Sequence, residues 1–259
     1  MPCPPIRSSS PIVETFHATR EQLATRFQAN HDADQYLSAH SHALDVAIQA
    51  LCEAAQLPAK TVAVLAVGGY GRRELFPFSD IDVLVLTANT DADDALTQER
   101  IGAFVTSLWE LGLSVGASVR SETAFLEEAL HDVSVATTYL ESRFLWGNQT
   151  LAEASWKTFR HHLDAKAFFR DKMLELDRRH QRYEDSPYSL EPNLKESPGG
   201  LRDLQVFLWC AQAAGLANTL DDMATAELVT ERELQALKAA WWNLKYWRIA
   251  LHLLAHRHE

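Results

Sequence analysis

The sequence predicts an α+β protein: a small mixed β-sheet core with flanking helices, followed by an all-α helical region. Three observations carry that expectation. Two short β-branched apolar runs, TVAVLAV at 61–67 and IDVLVL at 81–86, stand close together with a glycine-rich turn between them. A third extended run at 113–120 follows a helical stretch at 91–111, which opens with acidic residues as suits a helix N-terminus. From residue 122 onward most segments repeat apolar residues at three- and four-residue spacing.

Taken in order, residues 1–14 are rich in Pro and Ser and are expected to be disordered. Residues 15–60 form N-terminal helices, with Leu23, Phe27, Leu37, Leu44, Ala47, Ile48 and Leu51 at helical spacing and Pro58 as the stop. Residues 61–147 form the α/β core: strand, turn, strand, helix and strand as far as about residue 121, then helices at 122–130 and 134–145. Residues 148–259 form the helical region, with helices at 151–163, 166–183, 201–214 and 220–228. Thr230 and Glu233 make a capping box that opens the last helix. That helix is still apolar-patterned at Leu251 and Leu254, so the chain is expected to be a fragment of a longer protein. Trp241, Trp242, Tyr246 and Trp247 read as core rather than a base-stacking surface, because aromatics at helical spacing usually face inward. One polar stretch, 184–200, breaks the pattern with three prolines and two glycines, and a run of that kind inside a compact unit points to function.

Composition bounds the class. At 259 residues with 47% apolar and 23% charged, the chain can bury a sizeable core as one large domain or two modest ones. Acidic residues outnumber basic ones 35 to 24, for a formal charge of −11. That balance argues against a nucleic-acid footprint and against anionic membranes. No apolar run approaches the roughly 20 residues of a membrane span, and the N-terminus lacks a signal-peptide core. Cys3, Cys52 and Cys210 fit neither a disulfide framework nor a metal clip, so free thiols and a cytoplasmic setting are expected.

The chemistry concentrates at residues 68–86. Asp80 and Asp82 flank Ile81 at the start of a strand, and positions i and i+2 of a strand share one side. Two unpaired carboxylates that close are unfavourable, and a divalent cation removes the conflict. Hard oxygen ligands suit Mg²⁺, which binds through one or two carboxylates and substrate phosphates. Gly68, Gly69 and Gly71 let backbone amides approach a phosphate, and Ser79 adds a hydroxyl donor. The segment is neither a Walker A loop nor a GxGxxG turn. Specificity comes from the combination: apolar strand, double glycine, about ten residues, Ser-Asp-x-Asp and a second apolar strand.

The run GGYGRRELFPFSDIDVLVL resembles the signature of DNA-polymerase-β-like nucleotidyltransferases, within them the family of uridylyltransferase/uridylyl-removing enzymes that modify the PII nitrogen-signalling protein. A second segment, RHQRYEDSPYSLEPNLKESPGGLRDLQ at 179–205, is similar to that family's NxKxxxGGLRD region, and 117–147 and the tail WRIALHLLAHRHE fit it as well. The resemblance covers about residue 60 to the end, and the first helices loosely. It implies a nucleotidyltransferase core in which Asp80 and Asp82 are the catalytic metal ligands and Gly68, Gly69 and Ser79 cradle the nucleotide phosphates, with Arg72 also at phosphate. It further implies that Asn193, Lys195, Gly199, Gly200 and Arg202, with Asp203, close over nucleotide from the helical region. The implied reaction is Mg²⁺-dependent transfer of UMP from UTP to a tyrosine of PII, releasing pyrophosphate.

Some residues depart from the superfamily pattern. The strand at 113–120 lacks the third carboxylate that members commonly carry; Asp132 and Glu141 are the nearest candidates, and each reads as a helix cap or surface residue. Arg73 and Phe76 replace smaller or more polar residues, and Ala117 stands where histidine is frequent. The dipeptides His31-Asp32 and His131-Asp132 lack the ligand set of a His-Asp phosphohydrolase, so the uridylyl-removing and glutamine-sensing ACT domains are expected beyond Glu259. Two other readings stay open: a related nucleotidyltransferase adenylylating a protein or small molecule, and a non-catalytic nucleotide-sensing module.

Overall fold

A computed structural model describes residues 10–89, 94–183 and 193–257. The chain begins with two helices, α1 (Pro11–Asn30) and α2 (Ala33–Ala54). Helix α1 starts inside the segment expected to be disordered: Pro11 takes the first turn, where its missing N–H costs nothing, and the Ser10 hydroxyl caps Ile12 N–H. The rest of that expectation, residues 1–9, lies outside the described residues. His31 ends α1 in a left-handed conformation and Asp32 caps α2, which accounts for the first His-Asp dipeptide.

Four strands form one sheet in the order β3-β2-β1-β4, with β1 Val62–Ala66, β2 Ile81–Thr87, β3 Val115–Ser121 and β4 Arg143–Gly147. The sheet is mixed, as expected. Strand β1 runs antiparallel to β2 and β4, while β3 runs parallel to β2 and is reached through α4 (Ala95–Trp109). The fourth strand corrects the sequence reading, which put residues 134–145 into one helix. Helix α6 (Val133–Leu140) ends at its C-cap Glu141, and the following RFLWG pairs with β1, with a shift of register between Val64 and Leu65. Between β1 and β2 the chain makes one helical turn, α3 (Gly68–Gly71).

Both faces of the sheet are covered, which explains why β1 and β2 read as continuous apolar runs. On one face Val62, Val64, Ala66, Val83 and Val85 pack against α1, α2 and α4 through Val13, Leu44, Ile48, Ile101 and Phe104. On the other, Ala63, Leu65, Leu84 and Leu86 meet α5 (Glu122–His131), α6, α7 (Gln149–His162), α8 (Ala165–Arg182) and α9 (Leu201–Ala213), through Phe125, Tyr139, Phe159, Phe168 and Trp209. Each fully buried Leu or Ile here contributes about 1.5–3 kcal/mol. The expected helical region beyond residue 148 therefore shares its core with the sheet. A third cluster joins α1 and α2 to α9 and α11 (Glu231–Ala255) through Phe27, Tyr36, Leu37, Leu201, Leu208, Trp241 and Ile249. The expected capping box of α11 is present, with Thr230 and Glu233 each bonding the other's backbone N–H.

The tryptophans divide. Trp241 is core and donates to Glu74 Oε1 at 3.0 Å, but Trp242 and Trp247 are 40% and 56% exposed, contrary to the core reading. Helix α11 curls its apolar positions further round than one neighbour covers; Trp242 stacks on Tyr246 at 5.5 Å instead.

Candidate active site

The glycine turn and the loop leading to Asp80 are held from beneath by helices. Tyr70 donates to Asp45 Oδ1 at 2.6 Å, and burial followed by the Asp45 charge pushes its hydroxyl pKa well up. Arg143 grips the same carboxylate with two N–H groups at 2.8 and 2.9 Å and reaches the Gly71 carbonyl at 3.3 Å. This ties β4, α2 and the turn together. Further along, His40 Nδ1–H donates to the Leu75 carbonyl at 2.9 Å and the Pro77 carbonyl accepts from His252. Two buried imidazoles thereby fix the approach to Ser79 and Asp80.

Asp80 stands exposed just before β2 and Asp82 half-buried at its second position. Burial raises the Asp82 carboxyl above the ordinary value, and the Asp80 charge raises it further, while Lys195 works in the opposite direction. The two carboxylates converge as expected from their spacing. The Asp82 carboxylate is fitted between glycines: a Cβ at Gly68, whose φ is +59°, would lie 3.0 Å from Oδ2, and one at Gly116 would lie 2.5 Å from Oδ1.

A cleft of about 510 Å³ opens over these groups. It is lined by Gly68, Gly69, Arg72, Ser79, Asp80 and Asp82 from the sheet side, by Asn193 and Lys195 from the turn before α9, and by Arg202 from the first turn of α9. Nine of the eleven expected site residues thus share one cavity. Gly199 and Gly200 do not line it. The Gly199 N–H donates to Asp203 Oδ2 at 2.7 Å, and Gly200 caps α9 where a Cβ would crowd three carbonyls within 2.9 Å, so both shape the turn. Asn193 also shapes it, its side-chain oxygen accepting from the Lys195 and Glu196 amides at 2.9 and 2.7 Å. Asp203 is held below its usual pKa, despite burial, by His180, the Gly199 amide and Arg179, and this anchors the turn to α8. Of the polar stretch 184–200, residues 184–192 lie outside the described residues.

The cations facing the cleft differ in their freedom. Arg72 bonds Glu74 at 3.2 Å and also pairs with Glu141; burial alone would lower it, and these two carboxylates hold it above its ordinary value. Arg202 is shared with Glu196 at 3.3 Å and Gln205 at 3.0 Å. Among the described residues Lys195 has only Glu196, at 3.6 Å, as ion-pair partner, and burial, then Arg202 and Arg248, push its pKa down. A group so placed gains a great deal from an arriving phosphate.

Glu141 corrects the expectation of a surface residue. It is 8% exposed, lines the cleft, and accepts from Trp209 Nε1 at 2.5 Å as well as from Arg72. Asp132 is the helix cap it was expected to be, bonding the Ser134 and Val135 amides, and it closes the second His-Asp dipeptide. Sequence reasoning missed Lys172, Glu175 and Arg248, which also line the cleft. A signal existed for two: Lys172 interrupts the stripe of Phe168 and Leu176, and Arg248 that of Leu244 and Leu251, each a cation on an apolar helix face.

Among the described residues no group of three or more His, Cys, Asp or Glu side chains is placed to hold a metal. Two carboxylates on one cleft, Asp82 with its proton affinity raised, nonetheless fit an ion that completes its shell with water and substrate phosphate, as Mg²⁺ does. No helix among the described residues is long and apolar enough to cross a membrane.

Residues 167–259 match the family model described as GlnD PII-uridylyltransferase. Proteins named bifunctional uridylyltransferase/uridylyl-removing enzyme, from Burkholderia mallei (strain SAVP1) and Burkholderia pseudomallei (strain 668), are 44% identical over 244 residues. The alignment covers 94% of this chain, and the chain spans 28% of the length of those relatives. Residues 167–259 thus resemble a GlnD PII-uridylyltransferase domain, in a chain similar over nearly its whole length to enzymes whose name denotes a nucleotidyltransferase.

Proposed function

We propose that this chain is a nucleotidyltransferase that moves UMP from UTP to a tyrosine hydroxyl of a PII-type protein, releasing pyrophosphate, with Mg²⁺ as cofactor, in nitrogen-status signalling in a bacterial cytoplasm. One observation carries the reading: Asp80 and Asp82 from the start of β2, Lys195 from the turn before α9 and Arg202 from the first turn of α9 line a single cleft. Carboxylates for a cation and cations for a triphosphate, brought together by a sheet and a helical region, make a nucleotide-transfer site. The name of the relatives supplies the base, and the description of the family model that matches residues 167–259 supplies the partner.

Asp80 and Asp82 are the residues to hold Mg²⁺, which when bound supplies charge neutralisation at the triphosphate and polarises the attacking oxygen. Lys195 and Arg202 bind the phosphate oxygens, and the Gly68–Gly69 backbone and Ser79 orient them. The tyrosine oxygen forms a bond to the α-phosphorus in line with the leaving group, the bond from that phosphorus to the α,β-bridging oxygen breaks, and pyrophosphate departs. The tyrosine proton passes to solvent or to a base. Positioning and electrostatic stabilisation account for most of the rate in such transfers.

The test is incubation with Mg²⁺, labelled UTP and purified PII protein beside Asp80→Asn and Asp82→Asn. Label on the partner with the wild-type chain alone is the expected result. Transfer from ATP instead would favour the adenylylating alternative, and UTP binding without transfer the sensing module. Equal transfer by the Asn variants would refute the role of the carboxylates.

A further inference from the structure

Three cleft-lining side chains on α6 and α8 take no part in the chemistry above. The Glu175 carboxylate accepts from Lys172 Nζ at 2.8 Å through Oε2 and from Ser134 Oγ at 3.2 Å through Oε1. The three line the cleft together with Leu176 and Val206. Lys172 is rigid: its side chain is 4% exposed, and its ammonium sits 5.0 Å from the Trp209 ring centroid and 5.7 Å from that of Phe168. Glu175, with its side chain 38% exposed, remains open to an arriving molecule. None of the hydrogen-bonding capacity is exhausted. An ammonium has three donors, each carboxylate oxygen has two lone pairs, and a serine hydroxyl can turn its proton to a new acceptor.

We propose that Lys172, Glu175 and Ser134 read the nucleobase and select uracil, an inference that rests on the cleft being the nucleotide site proposed above. In order, the side chains present donor, acceptor, donor. The uracil edge presents the complement: O4 accepts, N3–H donates and O2 accepts. Cytosine turns its amino donor to the ammonium and its bare N3 to the carboxylate, two mismatches at once. Adenine offers an amino donor and one ring acceptor and has no third group on that edge. Leu176 and Val206 supply apolar surface for the face of the ring. A site built to bond a particular polar edge rejects an analogue strongly, because its own polar groups are then left unpaired.

The proposal is tested by calorimetric binding of Mg²⁺–UTP, Mg²⁺–CTP and Mg²⁺–ATP to the chain and to its Glu175→Gln and Ser134→Ala variants, with melting temperatures to confirm folding. Lys172 is left intact because it is buried. The wild type is expected to prefer UTP. Glu175→Gln should lower UTP affinity about tenfold to a hundredfold while CTP is spared, and Ser134→Ala, which removes a donor to the O2 that uracil and cytosine share, should weaken both by a similar, smaller factor. Glu175→Gln weakening UTP and CTP equally, or neither variant changing either affinity, would overturn the base-reading role and leave the proposed function standing. A wild-type chain that prefers ATP, or binds none of the three, would overturn both.

Discussion

Gly116 lies directly across the β2–β3 ladder from Asp82, and a Cβ at residue 116 would stand 2.5 Å from Asp82 Oδ1. The strand next to the carboxylate therefore has to present no side chain there. Residue 116 is an ordinary extended position with no need of glycine on conformational grounds, since only Gly68, on the Oδ2 side, has a positive φ. Gly116→Ala is expected to fold normally and to displace the carboxylate. UMP transfer should fall about a hundredfold, as misplacing a reacting group by an ångström does. Steady-state kcat/KM beside the melting temperature checks this; full activity would show that Asp82 can be accommodated elsewhere.

Asp82 should show opposite effects on activity and stability. Its folded pKa is raised, chiefly by burial and then by Asp80, so the charged form is disfavoured in the native state at neutral pH. Asp82→Asn removes that penalty while removing a proposed metal ligand. The variant should melt higher than wild type in metal-free buffer and lose transfer activity. A lower melting temperature would refute the electrostatic account.

Glu141 should prove structural rather than a third metal ligand. It is the partner of buried Arg72 and of Trp209 Nε1. Glu141→Ala leaves both without it and should cost about 3–5 kcal/mol in denaturant unfolding. Glu141→Gln, which still accepts from Trp209, should cost less. Equal loss in both variants would place the whole effect on the charge.

His40 should make the fold acid-sensitive. It is fully buried, donates through Nδ1 and has no partner at Nε2 among the described residues, and burial lowers its pKa to about 4. The unfolded imidazole titrates near 6.5, so the unfolded chain binds the extra proton first as pH falls. Stability is then full above about pH 6.5 and declines toward pH 4. Between pH 7 and 5 the loss is about 2 kcal/mol, read from the denaturation midpoint. His40→Gln, which keeps a donor for the Leu75 carbonyl, should flatten that slope.

Much of the site was legible along the chain because its parts are close in sequence. Asp80 and Asp82 share a side through the strand's period of two, and the glycine turn precedes them directly. Lys195 and Arg202 were found through their resemblance to a known motif. Lys172 left only the signal of a cation on an apolar helix face and Glu175 left none, while Glu141 read as a cap or surface residue, since the pattern along a helix does not show whether a carboxylate faces a cleft or water. One of the two carboxylates that hold Arg72, Glu141, lies 69 residues away.

The same division holds for the fold. Apolar runs buried on both faces specified β1 and β2 by composition alone, and the caps at Asp132 and Thr230 specified where α6 and α11 begin. Strand β4 was decided only by tertiary structure: RFLWG continues a helical pattern, and it becomes a strand because the open edge of β1 accepts it. Periodicity and capping are set by neighbours within one turn, so a sequence displays them. Which helix closes over the carboxylates, and which edge recruits the last strand, depends on surfaces that meet only when the chain has collapsed around a shared core.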